Sequence, residues 1–412
     1  MFRFWFSAPL WQRVIGALVL GTVVGLVWGP EAASIKWIGD FFIKSIKMLV
    51  VPLIFFSIVS GVASIGDLRK LGAVGWRAVA LFLATSQIAV WLGLALGTFF
   101  TPGAGIDTSA IERAPMPAAT STSAVDMILS VVPENPVAVM AQGQVLPLIV
   151  FALLMGIGVV MAKEAGGPVA RVFDSGAVVM QKVTAIVMEL TPFGVFALMA
   201  WVAGTLGNGA LIALAKLVAL NYLGCLIIIL GMYTLIIRLL ARLPVIDFFR
   251  GIVDAIVVAY STASSNATLP VTLRCAQRNL GVSRPTSSFI VSLGATINMD
   301  GTAMYLGLAT MFGAQLFGVH LDVGDYVLIS VLATLGSVGA AGIPGAGLIM
   351  MTLVFGAVGV PLETIAFVAG VDRIMDMMRT ATNVTGDSTV TVTVASLIGE
   401  IDRFEMISAD DV

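Results

Sequence analysis

The chain has 412 residues, of which 58% are apolar and 11% are charged, with a net charge of −2 and a mean hydropathy of +1.03. Soluble domains are roughly 45–50% apolar and about 25% charged, and a soluble protein of this length cannot bury so much apolar surface. The composition excludes a soluble enzyme, a nucleic-acid-binding protein and a disordered chain. One histidine and two cysteines leave little material for a histidine metal centre or a disulfide framework. We predict an all-α, polytopic membrane protein.

The first half of the chain contains six stretches that approach or exceed the length of a transmembrane helix, which needs about 20 mostly apolar residues. They are Val14–Trp28, Phe41–Ala63, Ala73–Phe100, Ala138–Ala162, a segment that ends near Trp201, and Ala210–Leu240. Lys and Arg concentrate in alternate connections. This distribution predicts a cytoplasmic N-terminus and six full spans, because positive residues favour the cytoplasmic side.

The second half contains two segments whose apolar arms are too short to span a membrane. Phe248–Tyr260 leads into the polar run Ser261–Pro270, and Tyr326–Leu335 leads into the Gly- and Pro-containing run Ser337–Gly347. Short arms around a small-residue tip predict a re-entrant helical hairpin, which a membrane tolerates only inside protein or against water. Arginines flank the first hairpin but not the second, so the two should enter from opposite sides.

An apolar span follows each predicted hairpin, so the two units form an inverted repeat. Such repeats are typical of transporter cores with a binding site at the membrane midplane. The full prediction is eight transmembrane helices plus two re-entrant hairpins of opposite orientation. Both termini are then cytoplasmic, and the chain lies in the cell inner (plasma) membrane as a multi-pass protein within the lipid bilayer.

The span after the first hairpin, Ser287–Phe317, is interrupted at Asn298–Thr302. Asn, Asp, Gly and Thr are poor residues for the middle of a helix, so a break there should expose backbone carbonyls and place Asp300 within the membrane. One interpretation is a kink in which Asp300 pairs with a lysine, although no Lys or Arg lies nearby in the sequence. The alternative is a cation site built from oxygen ligands.

The last span carries polar residues at intervals of three or four, which places them on one helical face. They are Asp372, Asp376, Thr380, Asn383 and Asp387, with Arg379 beside them. Such charges are very costly against lipid, so this face should line a cavity. An internal salt-bridge network that only holds helices together is one interpretation. The acids outnumber the arginines, however, which favours a bound cation.

Four segments together resemble the dicarboxylate/amino acid:cation symporters, which include the archaeal sodium–aspartate symporters and the mammalian excitatory amino-acid transporters. They are Ala263–Pro270, Asn298–Thr302, Ala341–Gly347 and Asp376–Asp387. Met48–Phe55 and Gly61–Gly72 also fit the family pattern, and the match is collinear over nearly the whole chain. The resemblance implies a homotrimeric transporter, neither an enzyme nor a cofactor-dependent protein, that works by an elevator mechanism.

The resemblance also implies a division of the chain. Residues 1–101 would hold two scaffold helices and a third helix of the transport domain. Residues 102–245 would hold an extracellular loop, two further scaffold helices and the sixth helix, which joins the transport domain. Residues 246–412 would form the transport core, with the second hairpin as its external gate.

The family's site residues carry over one by one. For the substrate they are Ser264, Ser265, Thr302, Ile343, Gly347, Asp376, Arg379, Thr380 and Asn383. For one Na+ they are Gly294, Asn298, Asn383 and Asp387; for a second they are Thr85, Ser86, Asn298 and Asp300; for a third they are Thr296 and Ser337. Three positions depart from the family pattern, Ala263, Asn266 and Ala340. Arg373 is a candidate to replace the arginine that archaeal members have at position 263.

The pair of Arg379 and Asp376 indicates the substrate class. Arg379 suits a side-chain carboxylate through bidentate hydrogen bonds, and Asp376 suits an α-ammonium group. We therefore expect aspartate or glutamate as the small-molecule substrate, with Na+ as the co-transported ion. A proton-coupled glutamate/aspartate or dicarboxylate symporter is the alternative. Taken alone, Thr85 and Ser86 could equally be ordinary hydroxyls that bond the preceding helical turn.

Two other protein classes fit less well. An ion channel also uses broken helices and polar tips, but it needs no paired arginine and aspartate. A membrane aspartyl protease would use Asp372 and Asp387. These residues are 15 positions apart on one helix, roughly 22 Å by helical rise, which is too far to share a water molecule.

Overall fold

The computed structural model describes residues 8–64, 73–106, 132–338, 342 and 344–402. These residues are helical, apart from short connections and one isolated β-bridge between Val282 and Ile401. In the first half the helices are α1 (Leu10–Trp28), α2 (Lys36–Ser64), α3 (Ala73–Phe100), α4 (Pro136–Gln142), α5 (Val145–Met161), α6 (Gly167–Met188) and α7 (Thr191–Ile227, continued to Ala241 through π-helical turns). In the second half they are α8 (Val245–Thr262), α9 (Ser265–Arg274), α10 (Arg284–Ile297), α11 (Asp300–Phe317), α12 (Val323–Val338), α13 (Ala346–Ala357) and α14 (Thr364–Ile398).

Several of these helices are long and apolar enough to cross a membrane. By length and composition, three continuous helical stretches of the described residues qualify: Leu10–Ala63, Val74–Phe100 and Thr191–Ala241. Shorter apolar helices occur at Pro147–Met161, Val323–Ser337 and Ala346–Ala357. The all-helical, apolar architecture is that expected of a multi-pass membrane protein, whereas the count of eight spans stays a prediction.

The helix boundaries differ from the expected spans around residue 207. The expected span that ends near Trp201 is two helices, α6 and the first part of α7. Gly207 has φ +66° and breaks α7, after which the helix resumes towards Ala241. Glycine reaches this left-handed conformation without steric cost, so the chain changes direction at Leu206–Asn208.

The first helical hairpin is formed by α8 and α9, which pack against each other across a two-residue turn at Ala263 and Ser264. The sequence predicted a longer polar tip, Ser261–Pro270. The structure instead starts α9 at Ser265, because Ser264 caps the helix and its Oγ accepts from the Ala267 N–H at 3.2 Å. Pro270 therefore lies inside a helix.

The second helical hairpin is formed by α12 and α13, which also pack against each other. Helix α13 follows Gly345, which has φ +79°. The tip residues 339–341 and 343, which include Ala340 and Ile343, lie outside the described residues.

The predicted break in the span after the first hairpin is present. Helix α10 ends at Ile297, Asn298 and Met299 are not helical, and α11 begins at Asp300. A carboxylate at the first residue of a helix is favoured by the helix dipole. All three of these residues are buried, so the break lies inside the protein.

The helices form two packed groups that meet along α14. In the first group α1 lies along α7, and α2 contacts both α5 and α6. In the second, α3 packs closely on α11, since the Met304 carbonyl oxygen leaves no room for a β-carbon at Gly93. Helix α14 contacts α7, α8, α10 and α11. It therefore runs through the interior, which is why its polar face is buried.

Candidate binding site

Arg379 lies at the centre of the polar face of α14 and is fully buried. Its Nη2 donates to Asp372 Oδ1 and to Asp376 Oδ1, both at 2.9 Å. Its Nε and Nη1 have no hydrogen-bond partner among the described residues. Two carboxylates therefore share one terminal nitrogen of the guanidinium, and N–H groups on its other two nitrogens are left for a further acceptor. A buried donor without a partner is costly, so these groups are suited to a ligand carboxylate.

The start of α13 closes against this guanidinium. A β-carbon on Gly347 would lie 3.2 Å from Arg379 Nη1 and 3.0 Å from the Tyr305 ring. The Gly345 N–H donates to Asp376 Oδ2 at 3.0 Å. The second hairpin thus brings backbone N–H groups and a helix N-terminus beside Arg379 and Asp376, an arrangement that attracts anions.

The two hairpins meet at their tips. Ser264 Oγ donates to the Gly342 carbonyl at 2.8 Å, and the Asn266 N–H donates to the same oxygen at 3.3 Å. Ser265 Oγ is buried and has no partner in the part of the chain that the structure describes. The predicted tip residues Ser264 and Ser265 are therefore close to the second hairpin, and the Ser265 hydroxyl is available to a ligand.

A second cluster of predicted residues lies deeper, where α14 passes the break before α11. Asn298 Nδ2 donates to Asp387 Oδ1 at 3.0 Å and to the Asn383 carbonyl at 3.3 Å. A β-carbon on Gly294 would lie 2.5 Å from Asp387 Oδ1. The structure therefore brings together Gly294, Asn298, Asn383 and Asp387, the four residues expected around one cation.

The orientation of the Asn298 amide matters for this cluster. Both groups that its nitrogen contacts are acceptors, so the nitrogen must face them and the oxygen must face away. Asn298 Oδ1 is buried and has no partner among the described residues. An unsatisfied buried amide oxygen is a ligand type that suits a hard cation, and here it points away from Asp387.

Asp300 forms the third buried acidic position. Its Oδ1 accepts from Ser86 Oγ at 2.6 Å, and its Oδ2 accepts from Tyr233 Oη at 2.7 Å. The hydroxyl of Thr85 donates to the Phe82 carbonyl in its own helix at 3.1 Å. The structure thus joins Ser86 to Asp300 over 214 positions of sequence. The kink interpretation required a lysine paired with Asp300. Among the described residues no lysine pairs with it.

The remaining predicted residues are joined less directly. Thr302 and Thr380 are buried, and a β-carbon on Gly301, next to Thr302, would lie 2.6 Å from the Arg379 carbonyl oxygen. Asn383 Oδ1 accepts from the Gly301 N–H at 2.8 Å. Ser337 donates to the Thr334 carbonyl and Thr296 to the Ser292 carbonyl, both within their own helices. The site between Thr296 and Ser337 therefore stays a prediction.

A family model described as the sodium:dicarboxylate symporter family matches residues 10–397. The chain belongs to the sodium:dicarboxylate symporter family. It is therefore a transporter and not an enzyme. This match agrees with the resemblance read from the four sequence segments.

Curated relatives of this symporter-family chain are similar over nearly their whole length. A proton/sodium-glutamate symport protein of Bacillus caldotenax is 35% identical over 95% of both chains. A proton/glutamate-aspartate symporter of Escherichia coli is 36% identical over 95% of this chain and 93% of its own. A C4-dicarboxylate transport protein of Bacillus subtilis is 34% identical over 96% and 95%. These names include two coupling ions and two substrate classes.

Two tyrosines in this symporter-family chain belong to the site and were not predicted from the sequence. Tyr305 donates to Asp372 Oδ1 at 2.8 Å, and Tyr233 donates to Asp300. Both lie in apolar stretches of the sequence, where a tyrosine is normally interpreted as a residue that packs in the core. Both are fully buried, and a buried tyrosine hydroxyl needs a partner. That rule was the only sequence signal available, and it does not name the partner.

Arg373 takes a position at the first hairpin. It is buried, and its Nη2 donates to the Thr262 carbonyl at 3.1 Å, at the C-terminus of α8. A cation is favoured at that end of a helix. The arginine thus reaches the turn that contains Ala263, as expected if it replaces a charge at that position.

Proposed function

We propose that this chain is a secondary active symporter that couples Na+ to the uptake of acidic amino acids, L-aspartate or L-glutamate. The observation that carries the proposal is the unpartnered side of Arg379, which lies against Gly347. Nη1 and Nε still carry N–H groups without an acceptor, and charged donors of this kind suit a carboxylate. A substrate side-chain carboxylate can accept from Nη1, the nitrogen beside which Gly347 carries no side chain.

Asp376 provides the matching anion. Each of its oxygens already accepts one hydrogen bond, from Arg379 Nη2 and from the Gly345 N–H. A carboxylate oxygen has two lone pairs, so both oxygens can still accept from a substrate ammonium group. The N-termini of α9 and α13 favour the substrate α-carboxylate. Two carboxylates and one ammonium are the charges of aspartate and glutamate.

The buried charges support a co-transported cation. Around α11 and α14 four carboxylates are buried with two guanidiniums, which leaves two negative charges in excess. The carboxylates are Asp300, Asp372, Asp376 and Asp387, and the guanidiniums belong to Arg373 and Arg379. Uncompensated buried charge is very costly. Sodium ions near Asp387 and Asp300 would compensate it with the oxygen ligands already present.

The transport cycle we propose is an elevator movement in a homotrimer. In each subunit, eight transmembrane helices and two hairpins inserted from opposite sides lie in the plasma membrane, and both termini are cytoplasmic. The moving unit comprises the third and sixth transmembrane helices and residues 246–412. The packing supports this division, because α3 packs on α11. In contrast, α1 packs on the first part of α7, where Gly21 lies against Phe196, and α2 packs on α5, α6 and α7.

The runner-up is a proton-coupled glutamate/aspartate or dicarboxylate symporter. It is favoured by the relatives whose names include a proton or a C4-dicarboxylate. The presence of Asp376 argues against a plain dicarboxylate, because its charge would face a substrate without an ammonium group. The amides and hydroxyls around Asp387 and Asp300 argue against a proton alone, which needs no such ligands.

The deciding experiment is uptake of labelled aspartate, glutamate and succinate into sealed proteoliposomes, with sodium and proton gradients imposed separately. We expect saturable accumulation of aspartate or glutamate that requires the sodium gradient. Accumulation driven by the proton gradient alone contradicts sodium coupling, and preferred uptake of succinate contradicts the amino-acid assignment. A current without accumulation would indicate a channel.

A further inference from the structure

Tyr233 holds one of the buried acids from a helix outside the hairpin core. The residue is fully buried on α7, and its hydroxyl donates to Asp300 Oδ2 at 2.7 Å. Ser86 on α3 donates to the other oxygen of the same carboxylate at 2.6 Å. Two helices distant in sequence therefore fix the two oxygens of Asp300 separately, and the orientation of the carboxylate plane follows from both.

The backbone of α7 is irregular at this residue. Residues Ile228–Tyr233 form a π-helical turn, and the Thr234 hydroxyl donates five residues back to the Ile229 carbonyl at 3.4 Å. A π-helical turn shifts the following side chains relative to an α-helix and is frequent at functional sites. Tyr233 is the last residue of this π-helical turn, so the irregular backbone lies at the residue whose hydroxyl bonds Asp300.

Tyr233 also lies near the other cation cluster. A β-carbon on Gly386 would lie 2.5 Å from Tyr233 Oη and 2.6 Å from Asn298 Nδ2. The hydroxyl that bonds Asp300 and the amide of Asn298 therefore border the same small space, which a side chain at position 386 would fill. A residue that bonds one candidate cation cluster and lies near the other can influence the occupancy of both.

We propose that Tyr233 is a positioning residue of the cation site, and that its hydroxyl holds the Asp300 carboxylate in the orientation that binds the ion. Tyr233 and Ser86 each use one lone pair of an Asp300 oxygen, so one lone pair on each oxygen remains for a cation. The terminal torsion of an aspartate is broad when nothing restrains it. Without the phenol the carboxylate must be ordered during ion binding, which weakens binding. This role rests on the proposed sodium coupling.

The test is the sodium dependence of aspartate binding by the purified full-length chain carrying Tyr233→Phe. We expect the sodium concentration at half-maximal binding to rise about tenfold. Loss of one hydrogen bond to a charged group weakens binding by about this factor. Aspartate affinity at saturating sodium should equal that of the parent. The matched control is Tyr222→Phe, which removes a tyrosine hydroxyl from the same helix. That hydroxyl bonds Tyr260 and the Ile374 carbonyl and no carboxylate. The control should keep the parental sodium dependence.

A second variant carries 4-aminophenylalanine at position 233, whose weaker N–H donor should give a sodium midpoint between those of the parent and Tyr233→Phe. If the phenylalanine variant does not fold, a severalfold shift in this second variant supports the role and an unchanged midpoint overturns it. A folded Tyr233→Phe with the parental sodium curve, or with aspartate affinity reduced equally at every sodium concentration, also overturns it. A parent that ignores sodium overturns the proposed coupling itself, which distinguishes the two failures.

Discussion

The guanidinium carbon of Arg379 lies 3.7 Å from the centre of the Tyr305 ring, and the hydroxyl of the same tyrosine donates to Asp372, a carboxylate that also accepts from Arg379. A cation over an aromatic face is attracted by the ring. Tyr305 therefore holds the arginine both directly and through the carboxylate that they share. This support keeps the unpartnered Nε and Nη1 in one orientation, which is the preorganisation that a carboxylate site needs.

Replacing Arg379 with cysteine should weaken aspartate binding by about 100-fold or more, because a carboxylate in the buried site loses its charged partner. Binding of neutral amino acids should rise relative to aspartate. The measurement is a competition assay on purified protein whose monodispersity is checked by gel filtration. Arg274→Cys is the control, since its guanidinium is half-exposed and pairs with an exposed Asp254. Unchanged aspartate affinity in Arg379→Cys would make the arginine structural.

Replacing Gly347 with alanine should weaken substrate binding about tenfold or more with the fold retained. The added methyl group would lie 3.2 Å from Arg379 Nη1, in the space assigned to the substrate carboxylate, and overpacking of this kind costs about 1–3 kcal/mol. Gly356→Ala is the matched control, because it lies on the same helix and its β-carbon meets nothing within 4 Å. Equal aspartate affinity in the two variants would place the carboxylate elsewhere.

A cysteine at Ala346, the first residue of α13, should report movement of the second hairpin. We expect an external thiol reagent to modify it without substrate and sodium plus aspartate to protect it, because a lid closes over bound substrate. The native cysteines, Cys225 and Cys275, are both buried and should be replaced by alanine in the background chain. A cysteine at Val323, which is 81% exposed, serves as the unprotected control. Equal labelling of position 346 in both states would indicate a fixed plug.

Replacing Asp387 with asparagine should flatten the sodium dependence of aspartate binding. The change removes the charge beside Asn298 while keeping the size of the side chain, so one cation loses its main attraction. Asp254→Asn, at an exposed ion pair, is the control. The readout is aspartate binding at fixed pH across a range of sodium concentrations. A variant that keeps the steep parental dependence would exclude Asp387 from the ion site.

The sequence alone determined the membrane class, the break at Asn298–Met299 and the polar face of α14. Each of these is a local property: apolar composition forces a chain into lipid, poor helix formers interrupt a helix, and a spacing of three or four residues sets one face. The family could also be recognised from the sequence, because each of its four motifs lies within one continuous segment. The turn of the first hairpin was placed too broadly, since one capping serine outweighed the polarity of the residues that follow it.

Only the tertiary structure decided which polar groups are neighbours. The family resemblance groups Ser86 with Asp300, but no sequence spacing predicts their hydrogen bond across 214 positions. Nothing in the sequence indicates that Tyr233 reaches the same carboxylate from α7. The same holds for the open side of Arg379, because two aspartates and one tyrosine take the rest of its surroundings. A site inside a helical bundle is assembled by the packing of helices that are distant in sequence. The direction in which each side chain points depends on where the helices cross, on π-helical turns and on close glycine contacts, and the hydrophobic pattern of the sequence does not encode these features.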